Sequence, residues 1–263
     1  MKSWFGYVLG GTPRSAFVTD TKNCIVLFDH GFHCLMIFAF WVLNKGGQRM
    51  QFFCRMAIGS LFVVLLGATP VLSDNSSARG VVEGFQASLL EVMKRAKKLD
   101  VKSRFAELGP VINDRFHLPL MIATASAPYW KAGSREQRSK LLAAFRRMSA
   151  SALATLFDGY DGEYFQTKRE RKTSGPVVIV DTQIIRKKKD PVNISYVSVK
   201  LKNRWWIIDV IVAGGISEVR SRRSEYSALL KEGGLKGGLD RLAAALDQTA
   251  DRLLSGKQKI VIR

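Results

Sequence analysis

The stretch EYFQTKRERKTSGPVVIVDTQIIRKKKDPVNISYVSVKLKNRWWIIDVIV, residues 163–212, decides the fold. Apolar and polar residues alternate within it, which is the period of β-strands that bury one face. The alternation predicts four strands, at residues 163–168, 177–185, 192–201 and 204–212. Turn signals separate these strands, and Lys202-Asn203 forms a two-residue hairpin connection. The sheet is therefore expected to be an antiparallel meander.

The two faces of the predicted sheet differ in polarity. One face carries Val178, Val180, Thr182 and Ile184 from the second strand, and Val192, Ile194 and Tyr196 from the third. The opposite face carries polar residues such as Asp181 and Asn193. The fourth strand is apolar on both sides, which predicts a central or doubly covered position. We expect helices to cover the apolar face.

Helical periodicity flanks the sheet on both sides. Upstream, apolar residues at spacings of three and four predict an amphipathic helix between about Val82 and Ala96, and then a shorter helix interrupted at Gly109-Pro110. A capping box between Ser134 and Gln137 predicts the start of a long helix. Two closing amphipathic helices are predicted beyond Ser217. Helices packed on one face of an antiparallel sheet define an α+β domain.

Residues 50–73 are typical of a bacterial secretory signal peptide. Arg55 supplies the n-region charge, and the apolar core that follows is too short to span a membrane. Val71 and Ser73 form a small-residue cleavage pattern before Asp74. We therefore expect export to the periplasm.

The segment before this signal is interpreted as an artefact of gene annotation. Residues 1–49 contain an apolar run interrupted by charged and histidine residues, which makes a poor spanning helix. We interpret this segment as an upstream extension from a misassigned start codon, with Met50 as the true first residue. A membrane anchor is the alternative. Residues 74–263 then form a single domain.

The distribution of reactive side chains limits the chemistry of this domain. All three cysteines and two of the three histidines lie before residue 56, so the domain retains only His117. A zinc site needs a cluster of Cys and His, and a Ser or Cys nucleophile needs a base. We therefore expect no catalytic residue, no metal site and no cofactor.

The domain is strongly basic, with 35 Lys and Arg against 20 Asp and Glu in residues 74–263. Such a balance favours nucleic acid, anionic lipid or an acidic protein partner. The export signal and the lack of a nucleic-acid recognition motif disfavour nucleic acid. The basic clusters, at residues 94–98, 168–172, 186–189 and 220–223, are expected to be solvated surface or to contact an anionic membrane transiently.

Several short motifs, in this order and spacing, resemble a known family. They are SREQR at 134–138, DGY at 158–160, Trp205 followed by Asp209-Val210, and RSEY at 223–226. Together they resemble the toluene-tolerance family of periplasmic lipid-binding proteins, which includes the MlaC phospholipid carrier. The resemblance spans residues 82–254.

Further motifs narrow the resemblance to one branch of that family. FHLPLM at 116–121, FDGYDGE at 157–163, ISE at 216–218 and the additional Gly215 are similar to the hopanoid-biosynthesis-associated HpnM proteins. The resemblance implies an NTF2-like curved antiparallel sheet with amphipathic helices around an apolar cavity, and no enzymatic activity. It implies a carrier that shuttles phospholipid or hopanoid between the inner and outer membranes. Its partners would be an inner-membrane ABC-type lipid transporter and an outer-membrane lipid complex or RND-type transporter.

The expected lipid-binding residues are apolar side chains that point inward from the sheet and the helices. They are Leu120, Met121, Phe145, Leu153, Leu156, Phe157, Val178, Val180, Ile184, Ile194, Tyr196 and Trp205. Any of them could instead belong to a solid core, because sequence periodicity does not distinguish a filled interior from a hollow one.

Two other functions remain open from the sequence. A small NTF2-like enzyme, such as an isomerase or dehydratase, would use Asp209 as a general base in the cavity, with Asp181, Tyr196 or His117 as further candidates. A non-transporting module that binds membrane or protein through its basic clusters would need no cavity. A deep cavity and the surroundings of Asp209 therefore distinguish the three functions.

Overall fold

The computed structural model describes residues 76–187, 189–212 and 215–256, which form an α+β arrangement. The predictions for residues 1–73, an upstream extension or anchor and a signal peptide, lie outside the described residues. Within the described ranges, no helix combines the length and the apolar character needed to cross a membrane.

Five antiparallel strands follow one another in chain order across a single sheet. They are β1 Tyr164–Lys172, β2 Val177–Arg186, β3 Lys189–Leu201, β4 Arg204–Val212 and β5 Ile216–Ser217. The predicted meander of four strands is confirmed. The fifth strand was not predicted, because two residues are too few to show an alternation. The connection between β3 and β4 has positive φ at Lys202 and Asn203, as a type I′ hairpin requires.

Irregularities in the strand pairing bend the sheet. The register shifts between Thr167 and Arg169 on β1 and between Val197 and Ser198 on β3. Such bulges bend a strand and increase its twist. The sequence predicted a central or doubly covered position for β4. The strand does lie between β3 and β5, but β5 pairs with only Ile211 and Val212 of its outer edge. Most of β4 is consequently only half-buried.

Six α-helices accompany the sheet in the described part of the chain. They are α1 Ala78–Arg95, α2 Val101–Arg115, α3 Leu118–Ala125, α4 Tyr129–Ala132, α5 Arg135–Leu156 and α6 Glu218–Leu254. Polar side chains cap the first turns of most of them; for example, Ser77 accepts from the Gly80 amide at 2.8 Å, and Asp100 accepts from the Ser103 amide at 2.7 Å. The capping box between Ser134 and Gln137 is present as predicted.

The predicted interruption at Gly109-Pro110 is wrong. Helix α2 continues through Pro110, although proline removes one intrahelical hydrogen bond. Contacts with α1 and α5 hold the helix in place, so tertiary packing outweighs the local preference.

Helix α6 is two helical segments joined at a sharp break, in agreement with the two closing helices predicted. Gly234 has φ 60° and ψ −173°, which is not helical. On either side the backbones approach closely: a Cβ atom on Gly238 would lie 2.6 Å from the Leu230 carbonyl oxygen. Glycine at these positions therefore allows the chain to fold back on itself.

The helices cover the face of the sheet that the sequence predicted to be apolar. Helix α1 contacts β1 to β4, while α5 packs against α2 and α6. Val178, Val180, Thr182, Ile184, Ile194 and Tyr196 are buried on this face, and Val192 is half-buried. The space between sheet and helices is where the core lies, and where a cavity remains.

Candidate functional site

A cavity lies between the buried face of the sheet and helices α1, α2, α3, α5 and α6. The cavity volume is about 80 Å³, and the atom-free space that includes its open mouth is about 820 Å³. Its walls consist of Phe85, Leu89, Ile112, Phe116, Leu118, Met121, Ala125, Phe145, Ser149, Leu153, Phe157, Phe165, Tyr196, Val210, Val212, Glu218, Val219 and Arg222. The lining is apolar almost throughout.

Helical spacing explains how separate elements place side chains on one wall. Phe145, Ser149 and Leu153 recur every fourth residue of α5, and Phe157 follows at the helix end. Residues three and four apart lie on the same face of a helix, so these side chains form one continuous strip.

Aromatic rings form the centre of the wall. Phe85 on α1 meets Phe116 edge to face, with ring centroids 4.9 Å apart, and meets Tyr196 on β3 at 6.1 Å. Edge-to-face pairs of this kind are favourable and hold both rings in a defined orientation. The wall between α1 and β3 is thus fixed by ring contacts.

Five of the residues predicted to bind lipid lie on the cavity wall. They are Met121, Phe145, Leu153, Phe157 and Tyr196. Sequence periodicity identified their inward direction correctly, and the fold brings them together from α3, α5 and β3.

The other seven predicted residues do not line this cavity. Leu120 points outward and is 38 % exposed, and Leu156 and Trp205 are partly buried beside the core. The remaining four, Val178, Val180, Ile184 and Ile194, belong to the solid part of the core. The helices lie directly on this part of the sheet, so the side chains fill the space instead of bounding it.

Several wall residues were not predicted. Phe85 and Leu89 belong to the amphipathic stripe of α1 that the sequence already showed, so periodicity identified them as buried but not as cavity lining. Phe165, on a mostly polar strand, gave a weaker signal. Glu218 and Arg222 gave no sequence signal of burial. Their spacing of four residues is the one feature they show, and charged side chains at that spacing are usually on the surface.

A buried ion pair interrupts the apolar wall at the start of α6. Arg222 donates from Nε to Glu218 Oε1 at 2.9 Å and from Nη1 to the Tyr226 hydroxyl at 3.0 Å. Burial raises the pKa of Glu218, and burial raises the pKa of Tyr226 to about 12. The carboxylate charge is therefore only partly compensated by its protein surroundings.

The phenol of Tyr196 is held by a second buried polar network. Its hydroxyl forms a hydrogen bond with Gln86, and burial raises its pKa to about 12. Gln86 in turn donates to the Thr182 hydroxyl at 3.1 Å, which donates to the Ile194 carbonyl at 3.0 Å. At neutral pH this phenol is protonated and occupied, which suits a wall residue and not a general base.

Asp209 and His117, the candidate catalytic residues, are engaged in capping. Asp209 accepts hydrogen bonds from the amides of Val210 and Val219 at 2.8 and 3.0 Å and from the Ser217 hydroxyl at 2.5 Å. His117 Nδ1 accepts from the Leu120 amide at 3.1 Å at the start of α3. Neither residue belongs to the cavity wall. Among the described residues, no group of His, Cys, Asp and Glu could hold a metal ion.

Asp181 lies on the opposite, polar face of the sheet. It accepts from Arg169 at 2.9 Å, from Arg171 at 2.7 Å and from Ser195 at 2.6 Å. The hydrogen bond from Arg171 is the main reason that its pKa is well below its usual range. This ion-pair cluster joins β1, β2 and β3 and is remote from the cavity.

The fold agrees with comparisons against known proteins. No curated protein matches the chain. Among solved structures, the chain is similar to a phospholipid-binding protein from Ralstonia solanacearum, determined in complex with a phospholipid. The identity is 18 %, the TM-score is 0.59, and the match covers 67 % of this chain and 98 % of that one. The family model described as MlaC protein matches residues 84–247, which include most of α1, the sheet and most of α6. The chain belongs to the MlaC family.

Proposed function

We propose that this protein is a periplasmic lipid carrier that holds the apolar part of one lipid in the cavity between sheet and helices. The observation that supports it best is the wall itself, with aromatic and aliphatic side chains converging from five helices and the sheet. An acyl chain of roughly sixteen methylenes gains about 0.8 kcal/mol per methylene on leaving water, or about 13 kcal/mol in all. Exposing the chain to water during transport would cost the same free energy, so a carrier must hold the chain in a dry cavity.

The cavity must widen to accept its cargo. A volume of about 80 Å³ is small beside the 300–1,000 Å³ that is typical of ligand sites, whereas the space including the mouth is about 820 Å³. Met121 and Leu153 line the wall with unbranched or γ-branched side chains that can change rotamer, and methionine adapts readily to irregular shapes. Binding is therefore expected to displace wall side chains and not to use a preformed slot.

Membership of the MlaC family and the likeness to a phospholipid-binding structure support phospholipid as cargo. The motifs similar to the HpnM proteins make a hopanoid a second cargo to test, since a rigid polycycle needs the same apolar wall. We propose that the carrier exchanges lipid with an inner-membrane ABC-type transporter and with an outer-membrane lipid complex or an RND-type transporter. Export through residues 50–73 would bring it to the periplasm.

A basic and aromatic rim beside Phe165 of the cavity wall would suit contact with an anionic membrane. Phe165 on the wall keeps partial exposure, and its neighbour Tyr164 is 53 % exposed. Gly162 packs against the β2–β3 hairpin so closely that a Cβ atom there would lie 2.8 Å from Lys187 Cε. Basic side chains next to an apolar opening match a surface of negative headgroups.

The enzyme and interaction-module alternatives receive less support. An enzyme would need Asp209 in the cavity with a free carboxylate, but its oxygens accept three hydrogen bonds, two of which, from Ser217 and Val219, organise the start of α6. A pure interaction module does not require a cavity. We therefore propose binding and transport without catalysis.

A matched pair of substitutions tests the proposal. Val210→Trp fills the cavity from β4, whereas Val192→Trp adds the same bulk at a half-buried position of β3 outside the wall. Full-length protein from a bacterial host is examined by native mass spectrometry, and the extracted lipid is identified. We expect stoichiometric lipid on wild type and Val192→Trp, and little on Val210→Trp. Wild type that is folded but reproducibly empty, even after incubation with phospholipid and hopanoid, would contradict the proposal.

A further inference from the structure

Two charged side chains line the otherwise apolar cavity. Glu218 is 8 % exposed and Arg222 is 4 % exposed, and both belong to the wall. A buried ion pair contributes little to stability compared with apolar residues of similar size, because removing two charges from water is costly. Stabilising α6 therefore does not by itself explain why this ion pair lies in the cavity wall.

The two partners differ in how far the protein satisfies them. The Arg222 guanidinium donates to Glu218 and Tyr226, and its Nη1 also lies 3.5 Å from Met148 Sδ. Glu218 uses only Oε1, which accepts from Arg222. In the part of the chain that the structure describes, Oε2 accepts no hydrogen bond, although a carboxylate offers about four acceptor positions.

We propose that Glu218 Oε2 accepts a hydrogen bond from a donor group of the bound lipid, an ammonium or a hydroxyl, and that the cavity thereby prefers lipids that carry such a donor. This inference rests on the proposed lipid-binding function. A phosphate or an ester carbonyl would not serve, because both are acceptors and Glu218 is an acceptor when ionised. Burial raises the pKa of Glu218 even beside Arg222, so a further donor would stabilise its ionised form.

Two pairs of lipids distinguish the two sources of the donor. Phosphatidylethanolamine and phosphatidylcholine with the same acyl chains differ in the ammonium N–H groups, and dipalmitoylglycerol and its 3-acetyl ester differ in one hydroxyl. Full-length protein is incubated with vesicles that contain an equimolar pair, and the lipids bound to the protein are quantified by mass spectrometry. The ratio of bound lipids is compared between wild type and Glu218→Gln. Differences in how readily each lipid leaves the vesicle cancel in this comparison.

Glutamine keeps an acceptor for Arg222, but it no longer offers the lipid a charged acceptor. A hydrogen bond to a charged group exceeds a neutral one by an amount that corresponds to a change of about tenfold in preference. We expect the donor-bearing lipid to lose about tenfold in relative occupancy, in the ethanolamine pair for an ammonium donor and in the glycerol pair for a hydroxyl donor. Glu232→Gln, an exposed glutamate of the same helix outside the wall, should leave both ratios unchanged.

The other outcomes contradict either this inference or the proposed function. Equal ratios for wild type and Glu218→Gln in both pairs would overturn this inference while leaving lipid binding intact. Wild type that takes up none of the four lipids, and no hopanoid in a parallel incubation, would instead overturn the proposed function. If Glu218→Gln does not fold, Glu218→Asp replaces it, and it should reduce the preference because the carboxylate withdraws by one methylene.

Discussion

At the scale of single residues, carboxylates at the start of α6 perform different tasks according to their partners. Asp209 binds two amides and one hydroxyl and organises the start of α6, whereas Glu218, a few residues away along the chain, keeps one oxygen without such partners. Sequence position alone made Asp209 the candidate for chemistry. Its hydrogen bonds show why a polar residue within an apolar strand need not be catalytic.

Replacing Asp209 should cost stability and spare lipid binding. Asp209→Ala leaves the amides of Val210 and Val219 without their acceptor, and we expect the free energy of unfolding to fall by about 1–3 kcal/mol. Urea denaturation measures this loss, and mass spectrometry measures bound lipid. If the wild type turned over a substrate and an equally stable Asp209→Ala variant did not, the enzyme alternative would be supported instead.

Asp181 should make the stability of the sheet sensitive to acid. Its pKa is lowered in the folded state, mainly by the hydrogen bond from Arg171, so its contribution is present above the unfolded pKa of about 3.9. That contribution is lost as the pH falls through the lower folded pKa. Asp181→Asn should therefore be less stable at pH 7 and should show a shallower loss of stability between about pH 4 and about pH 2.

Denaturant unfolding at a series of pH values measures this slope. Asp158→Asn, at an exposed position next to the long helix, serves as the control and should keep the wild-type slope. Because Arg169 and Arg171 are largely exposed, we expect the effect to be modest and to shrink at high salt.

At the scale of elements, the break in α6 decides how the second half of the helix reaches α3 and α5. Leu239, four residues beyond the exposed Leu235, packs onto Gly133, where a Cβ atom would lie 2.3 Å from Leu239 Cδ1. The same turn brings Gly238 against the Leu230 carbonyl. Small residues at these points permit the close crossing.

Adding one methyl group at the crossing should be destabilising, and adding it one residue earlier should not. Gly238→Ala places a Cβ atom 2.6 Å from a backbone oxygen, so we expect a loss of about 1–3 kcal/mol. Gly237→Ala meets nothing within 4 Å, and alanine favours a helix over glycine by up to about 1 kcal/mol. Thermal or urea unfolding compares the two. Equal stability of both variants would mean that the crossing is looser than described.

At the scale of the whole described domain, two features lie at the same end of the sheet. The exposed Tyr164 and the basic hairpin at Lys187 adjoin the part of the wall that contains Phe165. A lipid that leaves the cavity beside Phe165 would meet these basic and aromatic side chains. We therefore expect the lipid-binding cavity and the membrane-docking surface to lie next to each other.

Bound lipid should stabilise the fold in proportion to its affinity. A ligand that binds only the folded state adds about 2.7 kcal/mol when its free concentration is one hundred times Kd. Adding phospholipid to delipidated wild type and Val192→Trp should raise the melting temperature of both. Val210→Trp should not respond, and a rise of equal size in that variant would argue against binding in this cavity.

Docking on anionic membranes should depend on the hairpin. Lys187→Glu with Lys189→Glu reverses two charges at the β2–β3 hairpin, and each lysine near a charged surface contributes about 1 kcal/mol. We expect binding to phosphatidylglycerol-containing vesicles in sedimentation assays to fall by roughly tenfold or more. The same charge change at exposed Lys102 and Lys131 should have a smaller effect, and pure phosphatidylcholine vesicles should bind weakly in every case. Equal losses from both pairs would mean that net charge, and not this rim, drives binding.

The sequence by itself determined the elements and their buried faces. Alternation in residues 177–212 determined three long strands and the apolar side of the sheet, and capping at Ser134 determined where α5 begins. These features depend on neighbours within a few residues, which the sequence displays directly. The same is true of the inward direction of Phe145, Leu153 and Tyr196.

Only the tertiary structure decided which inward residues enclose space. Val180 and Tyr196 alternate alike on adjacent strands, yet Val180 is packed in solid core and Tyr196 faces the cavity. The difference depends on where the helices lie on the sheet, which is set by packing between elements far apart in sequence, such as that of α1 against β2 and β3. Likewise, burial of Glu218 and Arg222 follows from the placement of the first turn of α6 against α5, and a spacing of four residues does not encode it. Periodicity specifies direction, whereas packing between distant elements specifies distance.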